Sequence, residues 1–450
     1  MQNTTLPLFI TQIDVEDLFG IYTYSIPNEE MDISKILILY GSNGAGKTTI
    51  LKMIFNLLSY EDNKGYKSEL ANTKFKKLSI QLSNGCTIKA IRNEVLIGNY
   101  RLLIVLNNEK IVDVQCKTEK INNIFSIGKD ENIEVDEFLD FLSSINLSIH
   151  YLSDDRKIKS NVSMILDENS DKVSISRLPI DILRKVEKGI GQESFSLSDT
   201  FLEVAINRVE SWFKHQTIVA NSIGQDSINS IYIELIEKLL ENVDEVLPSD
   251  TELNKKETIL KSLRDLELRN KEFIKYKLTR DLNLDKLINI IDKTSHSKIK
   301  LIENTLSPYI NGIDKKLNAI EETKNIINVF ITTLNDFYTG KEIKFNIEDG
   351  LKITSKYNDK EPLTATMLSS GEKQLLLLFC NTITAREHAS IFIIDEPELS
   401  LNVKWQRKLV DALLSFAEGS SIQFILASHS IELLTQYDEN VCDLKNIKVF

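Results

Sequence analysis

The sequence predicts an α/β fold in which a helical insertion at residues 176–340 separates two regions of mixed strands and helices, 1–175 and 341–450. Short apolar runs bounded by turn residues occupy both outer regions, and such runs are typical of buried parallel strands. The insertion is poor in glycine and proline, and its apolar residues recur at helical spacing. A glycine-rich turn joins one apolar run to an amphipathic helix. We therefore expect the outer regions to be two halves of one domain.

The composition is that of an ordinary soluble chain, with 42% apolar and 27% charged residues over 450 positions. A net charge of −12 excludes a surface that is basic all over, but it is compatible with a local basic groove. No apolar run approaches the ~20 residues that a bilayer needs, and the N-terminus lacks a signal-peptide pattern. We expect a cytoplasmic protein without a membrane partner. The widely separated cysteines indicate neither a zinc site nor disulfides; they are Cys86, Cys116, Cys380 and Cys442.

The glycine-rich turn fits a phosphate-binding loop. It lies in the stretch LILYGSNGAGKTTILKMI, between a strand-like run at Ile36–Leu39 and a helical pattern. Backbone N–H groups of such a turn, together with the start of the helix, favour the negative charge of phosphate. Lys47 would reach the β- and γ-phosphates of ATP, and the Thr48 hydroxyl would bind Mg²⁺. The predicted nucleotide contacts are Gly41, Ser42, Asn43, Gly44, Ala45, Gly46, Lys47, Thr48 and Thr49.

Smaller elements surround this core. The stretch LSIQLSNGCTIKAIRNEVLIGNYRLLIVL predicts a small antiparallel sheet, and KEIKFNIEDGLKITSKY predicts two strands joined at residues 348–350. The end of the insertion carries a 3-4 repeat of apolar residues, interrupted by Lys324. This repeat suits a short coiled-coil or bundle seam, and equally an ordinary amphipathic helix packed on a neighbour. Its members are Ile313, Leu317, Ile320, Ile327, Ile331 and Leu334.

Two adjacent carboxylates, Asp395 and Glu396, follow the apolar run Ile391–Ile394. Carboxylates at the end of a buried strand are costly unless a cation or a protic group meets them. Asp395 would hold Mg²⁺ through its waters, and Glu396 would hold the attacking water as a general base. The alternative is a simple Asp-Glu-Pro turn after a strand.

Two further segments lie beside this pair in the sequence. A last predicted strand, Ile422–Ala427, is followed by His429, which could hydrogen-bond a γ-phosphate. The stretch TMLSSGEKQLLLLF begins a helix, and its serines alone would indicate no more than a helix cap.

These elements, in this order, resemble the ABC-type ATPases over the first and last thirds of the chain. The resemblance implies an ABC-ATPase head of the P-loop NTPase fold, with an antiparallel β lobe and ATP and Mg²⁺ as cofactors. It also implies that the signature turn of one subunit closes over the ATP held by Lys47 of a second, so that catalysis requires a dimer. The predicted signature residues are Ser369, Ser370, Gly371 and Glu372.

The stretches LFGIYTYSI, DEPELSLN with WQRKL, and ASHS look most like bacterial defence ATPases: the overcoming-lysogenization-defect family and the ATPase subunits of the Septu, retron-associated and PARIS systems. The sequence departs from the first of these because it contains no Asp-x-Asp set for a Toprim nuclease. Asn402 occupies the D-loop position, where the family often has Asp or His. In the family this position couples the two subunits of the dimer. Asp155 best matches the family's Mg²⁺-contacting glutamine, and water-mediated binding of Mg²⁺ would preserve that role.

The leading hypothesis is therefore an ATP-hydrolysing switch in antiphage defence, of which the PARIS-type subunit is the best match. It would assemble into homo-oligomers from ATP-sandwich dimers and hold or license a separately encoded effector, a Toprim-like or HNH nuclease. The alternatives are a DNA repair or recombination ATPase of the RecF/SMC-like class, which acts on DNA, and a transporter subunit, which the helical insertion disfavours.

Overall fold

A computed structural model describes most of the chain and divides it into two compact units. One unit comprises Met1–Leu197 with Asn381–Phe450, and the other comprises Ser198–Cys380. The domain boundaries drawn from the sequence stay a prediction. The described residues are 8–27, 35–61, 64–93, 95–121, 124–127, 133–153, 158–160, 202–222, 251–282, 284–293, 299–357, 362–387, 390–399 and 401–447.

The strands are β1 (Ile10–Leu18), β2 (Tyr22–Ile26), β3 (Ile36–Tyr40), β4 (Lys77–Leu82), β5 (Cys86–Ile91), β6 (Tyr100–Leu106), β7 (Glu109–Cys116), β8 (Glu119–Ile121), β9 (Ile124–Ser126), β10 (Ser148–Leu152), β11 (Ile158–Ser160), β12 (Lys341–Asn346), β13 (Gly350–Ser355), β14 (Ser390–Asp395), β15 (Ile422–Ala427) and β16 (Val441–Asp443). The helices are α1 (Lys47–Leu58), α2 (Tyr66–Asn72), α3 (Ile133–Ser144), α4 (202–222), α5 (Thr251–Ile274), α6 (Leu284–Asp292), α7 (Ile299–Phe337), α8 (Ser370–Thr384), α9 (Val403–Ala417) and α10 (Ile431–Gln436).

A parallel sheet from both ends of the chain forms the base of the first unit. Its strand order is β11-β10-β14-β15-β3-β16, and only the edge strand β11 is antiparallel to its neighbour. Strands β14 and β15 are buried along their whole length, as their mainly apolar sequences predict, and Gln423 is a buried polar residue within β15. Because parallel strands end at the same edge of a sheet, the residues after β3, β14 and β15 lie at one edge. The predicted strands at 36–39, 391–394 and 422–427 are confirmed.

An antiparallel sheet completes the first unit, in the order β2-β1-β4-β5-β6-β7. It confirms the antiparallel β lobe of the sequence analysis. Helix α1 contacts strands of both sheets, and one apolar core includes side chains from the helix and from each sheet. The amide of Gln423 on β15 bonds the backbone of Ile10 on β1 in both directions, at 2.8 and 2.9 Å. This buried amide fixes the register between the sheets.

The second unit is mainly helical, which confirms the predicted helical insertion within the described residues. Helix α7 packs against α5 and against strand β12. The apolar repeat on α7 is buried throughout, and Phe213 of α4 contacts Phe330 in an edge-to-face arrangement. Lys324, the interruption in the repeat, pairs with Glu272 and Glu321 instead of packing in the core. The seam therefore belongs to a helical bundle that includes a two-stranded sheet, β12-β13. No helix among the described residues is long and apolar enough to cross a membrane.

Candidate nucleotide-binding site

The loop between β3 and α1 has the backbone conformation of a phosphate cradle. Gly44 and Gly46 have φ angles of 85° and 91°, in the left-handed region that favours glycine. A Cβ on Gly46 would lie 2.7 Å from Leu18 Cδ2, so the approach of β1 leaves no room for a side chain. The exposed segment 42–44 faces solvent, and helix α1 begins directly after Gly46. An open turn at the start of a long helix fits a polyphosphate.

Lys47, the first residue of α1, is buried within this loop. Its Nζ donates to the carbonyl of Gly41 at 2.9 Å and to that of Ser42 at 3.3 Å. Burial lowers the pKa of the Lys47 amine, and the nearby carboxylates of Glu396, Asp395 and Glu398 oppose that shift. The Lys47 ammonium group thus lies against the backbone of the loop. The sequence pattern predicts that it contacts the β- and γ-phosphates there.

Asp395, the last residue of β14, is fixed by two hydroxyl groups from other elements. Thr48 Oγ1 donates to Asp395 Oδ1 at 3.1 Å, and the buried Tyr151 hydroxyl donates to Oδ2 at 3.3 Å. Asp395 itself is only 2% exposed. A hydroxyl and a carboxylate within hydrogen-bonding distance are oxygen ligands of the type that Mg²⁺ prefers. The residues present therefore fit a Mg²⁺ ion held by Thr48 and Asp395.

Glu396 follows directly after β14, where the chain enters a turn. Its φ of 48° is in the left-handed region, which is uncommon for a residue with a side chain. The Glu396 N–H donates to the Ala427 carbonyl at 2.9 Å, and the Glu396 carbonyl accepts from Leu399 N at 3.0 Å. Backbone strain that the surrounding structure maintains is a feature of functional sites.

His429 lies beside Glu396. Its Nε2 is 4.0 Å from Glu396 Oε1, and the side chains are 33% and 31% exposed. Two polar atoms at this separation are both within hydrogen-bonding distance of one oxygen atom placed between them. The pair can therefore act together on a water molecule or a phosphate oxygen that enters from solvent.

Glu398, which the sequence analysis did not single out, connects these two turns. Its Oε1 accepts hydrogen bonds from Ser428 Oγ at 2.8 Å, His429 N at 2.7 Å and Ser430 N at 3.0 Å. Its Oε2 is buried and has no hydrogen-bond partner within the described part of the chain. The carboxylate therefore anchors the backbone that carries His429.

The signature residues lie in the second unit, at the start of α8. Ser369 and Glu372 form a capping box: Glu372 Oε2 accepts from Ser369 N at 2.7 Å, and Ser369 Oγ accepts from Glu372 N at 3.4 Å. Lys341 of β12 donates to the same carboxylate oxygen at 2.6 Å. Ser369 and Ser370 are exposed, and Gly371 is buried. The helix cap that the serines suggested is thus present, and it leaves the serine side of the turn open to a ligand.

The remaining predicted residues have plainer surroundings. Asn402 is exposed and caps α9, where its side chain accepts from Trp405 N at 3.0 Å. Ala45 is buried, and its carbonyl accepts a hydrogen bond from the Tyr24 hydroxyl at 2.9 Å. Asp155 lies outside the described residues. Thr49 is half-buried in the first turn of α1.

Four residues near the predicted ones were missed: Phe19, Tyr151, Lys341 and Glu398. Phe19 belongs to the stretch LFGIYTYSI, which resembles the defence ATPases, and its ring lies 3.3 Å from a Cβ placed on Gly46. Glu398 could have been found as a third acidic residue within four positions of Asp395. Tyr151 and Lys341 carried no local signal, because their partners are 244 and 31 residues away.

Fold and site together are those of the P-loop NTPase fold: a parallel sheet, a glycine-rich loop between β3 and α1, and a carboxylate pair at the end of β14. Residues 248–435 are similar to a protein family described as "AAA domain, putative AbiEii toxin, Type IV TA system". The matched segment is less than half of the chain, and it contains the signature turn, the carboxylate pair and His429.

No curated protein matches the chain. One similar solved structure is an Smc head domain with an extended coiled coil bound to the C-terminal domain of ScpA, from Pyrococcus furiosus. It is 13% identical, covers 98% of this chain and 94% of its own, and has a TM-score of 0.37. Another is an Smc head bound to the C-winged helix domain of ScpA, with 12% identity, 98% coverage of both chains and a TM-score of 0.38. At such scores neither likeness bears on what this chain binds.

Proposed function

We propose that the chain binds ATP with Mg²⁺, hydrolyses it in a dimer, and uses hydrolysis to switch the state of an antiphage defence complex. One observation supports hydrolysis above all: Glu396 and His429 lie 4.0 Å apart. Both follow strands that end at the edge where the phosphate loop begins. A binding module would need the loop, but it would not need a carboxylate on a left-handed turn next to an imidazole.

ATP binding rests on groups of this chain that already point into the loop. The loop N–H groups and Lys47 meet the phosphates, and Phe19, at 37% exposure beside Gly46, offers aromatic surface to the base. Thr48 and Asp395 would hold Mg²⁺, which supplies positive charge to the phosphate oxygens. Tyr151 keeps the second oxygen of Asp395 in place from inside the fold.

Glu396 is the general base of the proposed reaction. Its carboxylate accepts a proton from the attacking water, a role that typically contributes ~10²–10⁴ in rate. His429 donates a hydrogen bond to a phosphate oxygen and thereby senses whether the γ-phosphate is present. The left-handed turn at Glu396 presents the carboxylate toward solvent, from which the water arrives.

Dimerisation is proposed because several apolar side chains are exposed on segments close in sequence to this pair. Leu399, Val403 and Ile431 are 39%, 51% and 74% exposed, on the segments that carry Glu396 and His429. A second copy that covers them would exclude water and strengthen the electrostatic interactions of the site. Ser369 and Gly371 of that copy would complete the site from α8, whose N-terminus favours phosphate.

The defence role rests on the family similarity and on the sequence resemblance. The description of the matched family names a putative AbiEii toxin and a Type IV TA system. We propose that this chain is a regulatory ATPase that holds or releases a separately encoded Toprim-like or HNH nuclease. A PARIS-type subunit is the best candidate, followed by the Septu and retron-associated types.

The test is to purify the chain alone and together with the protein encoded beside it. Retention of that partner on the tagged chain is measured in ATP, for wild type and for Glu396→Gln. The proposal expects a stable complex whose retention differs between the two forms, because only wild type can leave the ATP state. Equal retention would contradict the switch. ATP hydrolysis that DNA stimulates without any partner would favour the repair ATPase instead.

A further inference from the structure

We infer that Glu398 is a positioning residue, which holds His429 against Glu396 through the backbone of the 428–430 turn. The inference rests on the proposed hydrolysis of ATP and adds a residue to that site. Within the described residues the Glu398 side chain hydrogen-bonds Ser428, His429 and Ser430, so it acts mainly through the turn that carries the imidazole, in addition to the effect of its charge on Lys47. Its main effect is therefore on the geometry of the Glu396–His429 pair.

The contacts converge on one oxygen. Ser428, His429 and Ser430 each donate a hydrogen bond to Glu398 Oε1, over 2.7 to 3.0 Å. Two of the donors are successive backbone N–H groups, so the bond pattern fixes the peptide planes on both sides of His429. Hydrogen bonds to a charged acceptor are stronger than those between neutral groups. This turn is thus held more firmly than a turn closed by neutral groups.

The second carboxylate oxygen, Oε2, indicates which property of the Glu398 side chain the 428–430 turn requires. Glu398 Oε2 is buried without a hydrogen-bond partner in the described structure, so only one acceptor atom is in use. A glutamine can supply that acceptor with its carbonyl oxygen, while alanine cannot. Glutamine therefore keeps the acceptor and the shape of the side chain but removes its charge, whereas alanine removes all three.

Further hydrogen bonds connect the turn that carries Glu396 with the turn that carries His429. Ser430 Oγ donates to Gln406 Oε1 at 2.8 Å, and Gln406 Nε2 donates to the Leu401 carbonyl at 3.0 Å. Glu396 N donates to the Ala427 carbonyl at 2.9 Å. The loop that carries the base and the loop that carries the histidine are therefore joined from both sides, and a shift of one moves the other.

A purely structural role is the competing explanation, since Glu398 also accepts a hydrogen bond from the N–H of Ser430, the residue that caps α10. That role predicts lower stability with a proportional loss of active protein. The positioning role predicts a loss in kcat that depends on His429. A double-mutant cycle between the two residues distinguishes them, because residues that act as one unit are not additive.

The experiment measures steady-state ATP hydrolysis, ATP affinity and thermal unfolding for Glu398→Ala, Glu398→Gln and Glu398→Ala in a His429→Ala background. We expect Glu398→Ala to lower kcat by about 10- to 100-fold, with KM and ATP affinity close to wild type. Glu398→Gln should restore most of the turnover. In the His429→Ala background, Glu398→Ala should cost little more. Glu432→Ala, which removes a half-buried carboxylate paired with Arg407 on the adjacent helix, is the matched control and should behave as wild type.

If Glu398→Ala does not fold, Ser428→Ala removes one of the three donors and is measured in the same cycle. Full activity of the alanine variant, or equal and additive losses with and without His429, would overturn the inference. These outcomes differ from failure of the proposed function, in which wild type does not hydrolyse ATP or Glu396→Gln hydrolyses it normally.

Discussion

Thr48 Oγ1 donates a hydrogen bond to Asp395 Oδ1 over 3.1 Å, although 347 positions separate the two residues in the sequence. Thr48 belongs to the phosphate loop near the start of the chain, and Asp395 ends a strand close to its finish. Their contact unites the two halves of the predicted head across the helical insertion. It also places a hydroxyl and a carboxylate where one Mg²⁺ ion could take both as ligands.

Lys47→Ala should weaken ATP binding by at least about tenfold, because a charged hydrogen-bond partner contributes roughly 1.5–3 kcal/mol. The measurement is direct titration of the protein with ATP. Lys52→Ala is the control, since Lys52 is exposed on the same helix and has the same charge. Unchanged affinity in Lys47→Ala would remove the phosphate loop from the account.

Asp395→Asn should raise the Mg²⁺ concentration needed for half-maximal hydrolysis by at least about tenfold, as loss of an anionic ligand implies. Tyr151→Phe should raise it by roughly fivefold, the equivalent of about 1 kcal/mol for one hydrogen bond. The informative result is which of the two substitutions raises the required Mg²⁺ concentration more. A larger effect for Tyr151→Phe would show that the tyrosine does more than orient the carboxylate.

Ser370→Glu should preserve folding and ATP binding but stop hydrolysis. Ser370 is exposed in the first turn of α8, where a negative charge suits the helix, yet the same charge would repel a phosphate. Ser370→Ala is the control. Mixing Ser370→Glu chains with Lys47→Ala chains should restore up to about a quarter of wild-type turnover, because half of the dimers then contain one intact composite site of two. No recovery after demonstrated subunit exchange would indicate a site made within one chain.

The local pattern of the sequence predicted much of this arrangement. The strands that end at Tyr40, Asp395 and Ala427 are confirmed, because mainly apolar runs next to turn residues specify buried strands. The positive φ angles of Gly44 and Gly46 are a local property of the turn, but the close approach of Leu18 to Gly46 depends on tertiary structure. The catalytic roles of Glu396 and His429 stay predictions.

Contacts between distant segments could not be predicted in this way. The sequence alone predicts that Glu398 is an exposed turn residue. The pairing of β14 with β15 brings the 428–430 segment into contact with it. Lys341 likewise begins an ordinary strand, and its partner Glu372 lies in another element. Hydrogen bonds of this kind depend on tertiary structure, and a single sequence contains no signal for them.

The capping box of α8 should make the fold sensitive to acid. Burial raises the pKa of Glu372, but hydrogen bonds from Lys341 and Ser369 outweigh it and hold the pKa below its ordinary value of 4.5. Because the folded-state pKa is the lower one, the ionised carboxylate stabilises the fold above pH 4.5, and this contribution is lost as the pH falls through the folded-state pKa. The thermal midpoint of wild type should exceed that of Glu372→Gln near neutral pH, and the gap should close below pH 4.5. The same substitution at the more exposed Glu342 is the control, and a gap that persists in acid would contradict the assignment.

Turnover of ATP by Glu396→Gln is the most direct test of the central claim, that this site hydrolyses ATP to operate a switch. The measurement is phosphate release and ATP affinity in wild type and variant, with the oligomeric state followed by light scattering in ATP and Mg²⁺. The account predicts near-native affinity, hydrolysis at least about a hundredfold slower, and a dimer that persists as long as ATP is present. Hydrolysis at the wild-type rate by Glu396→Gln would contradict it.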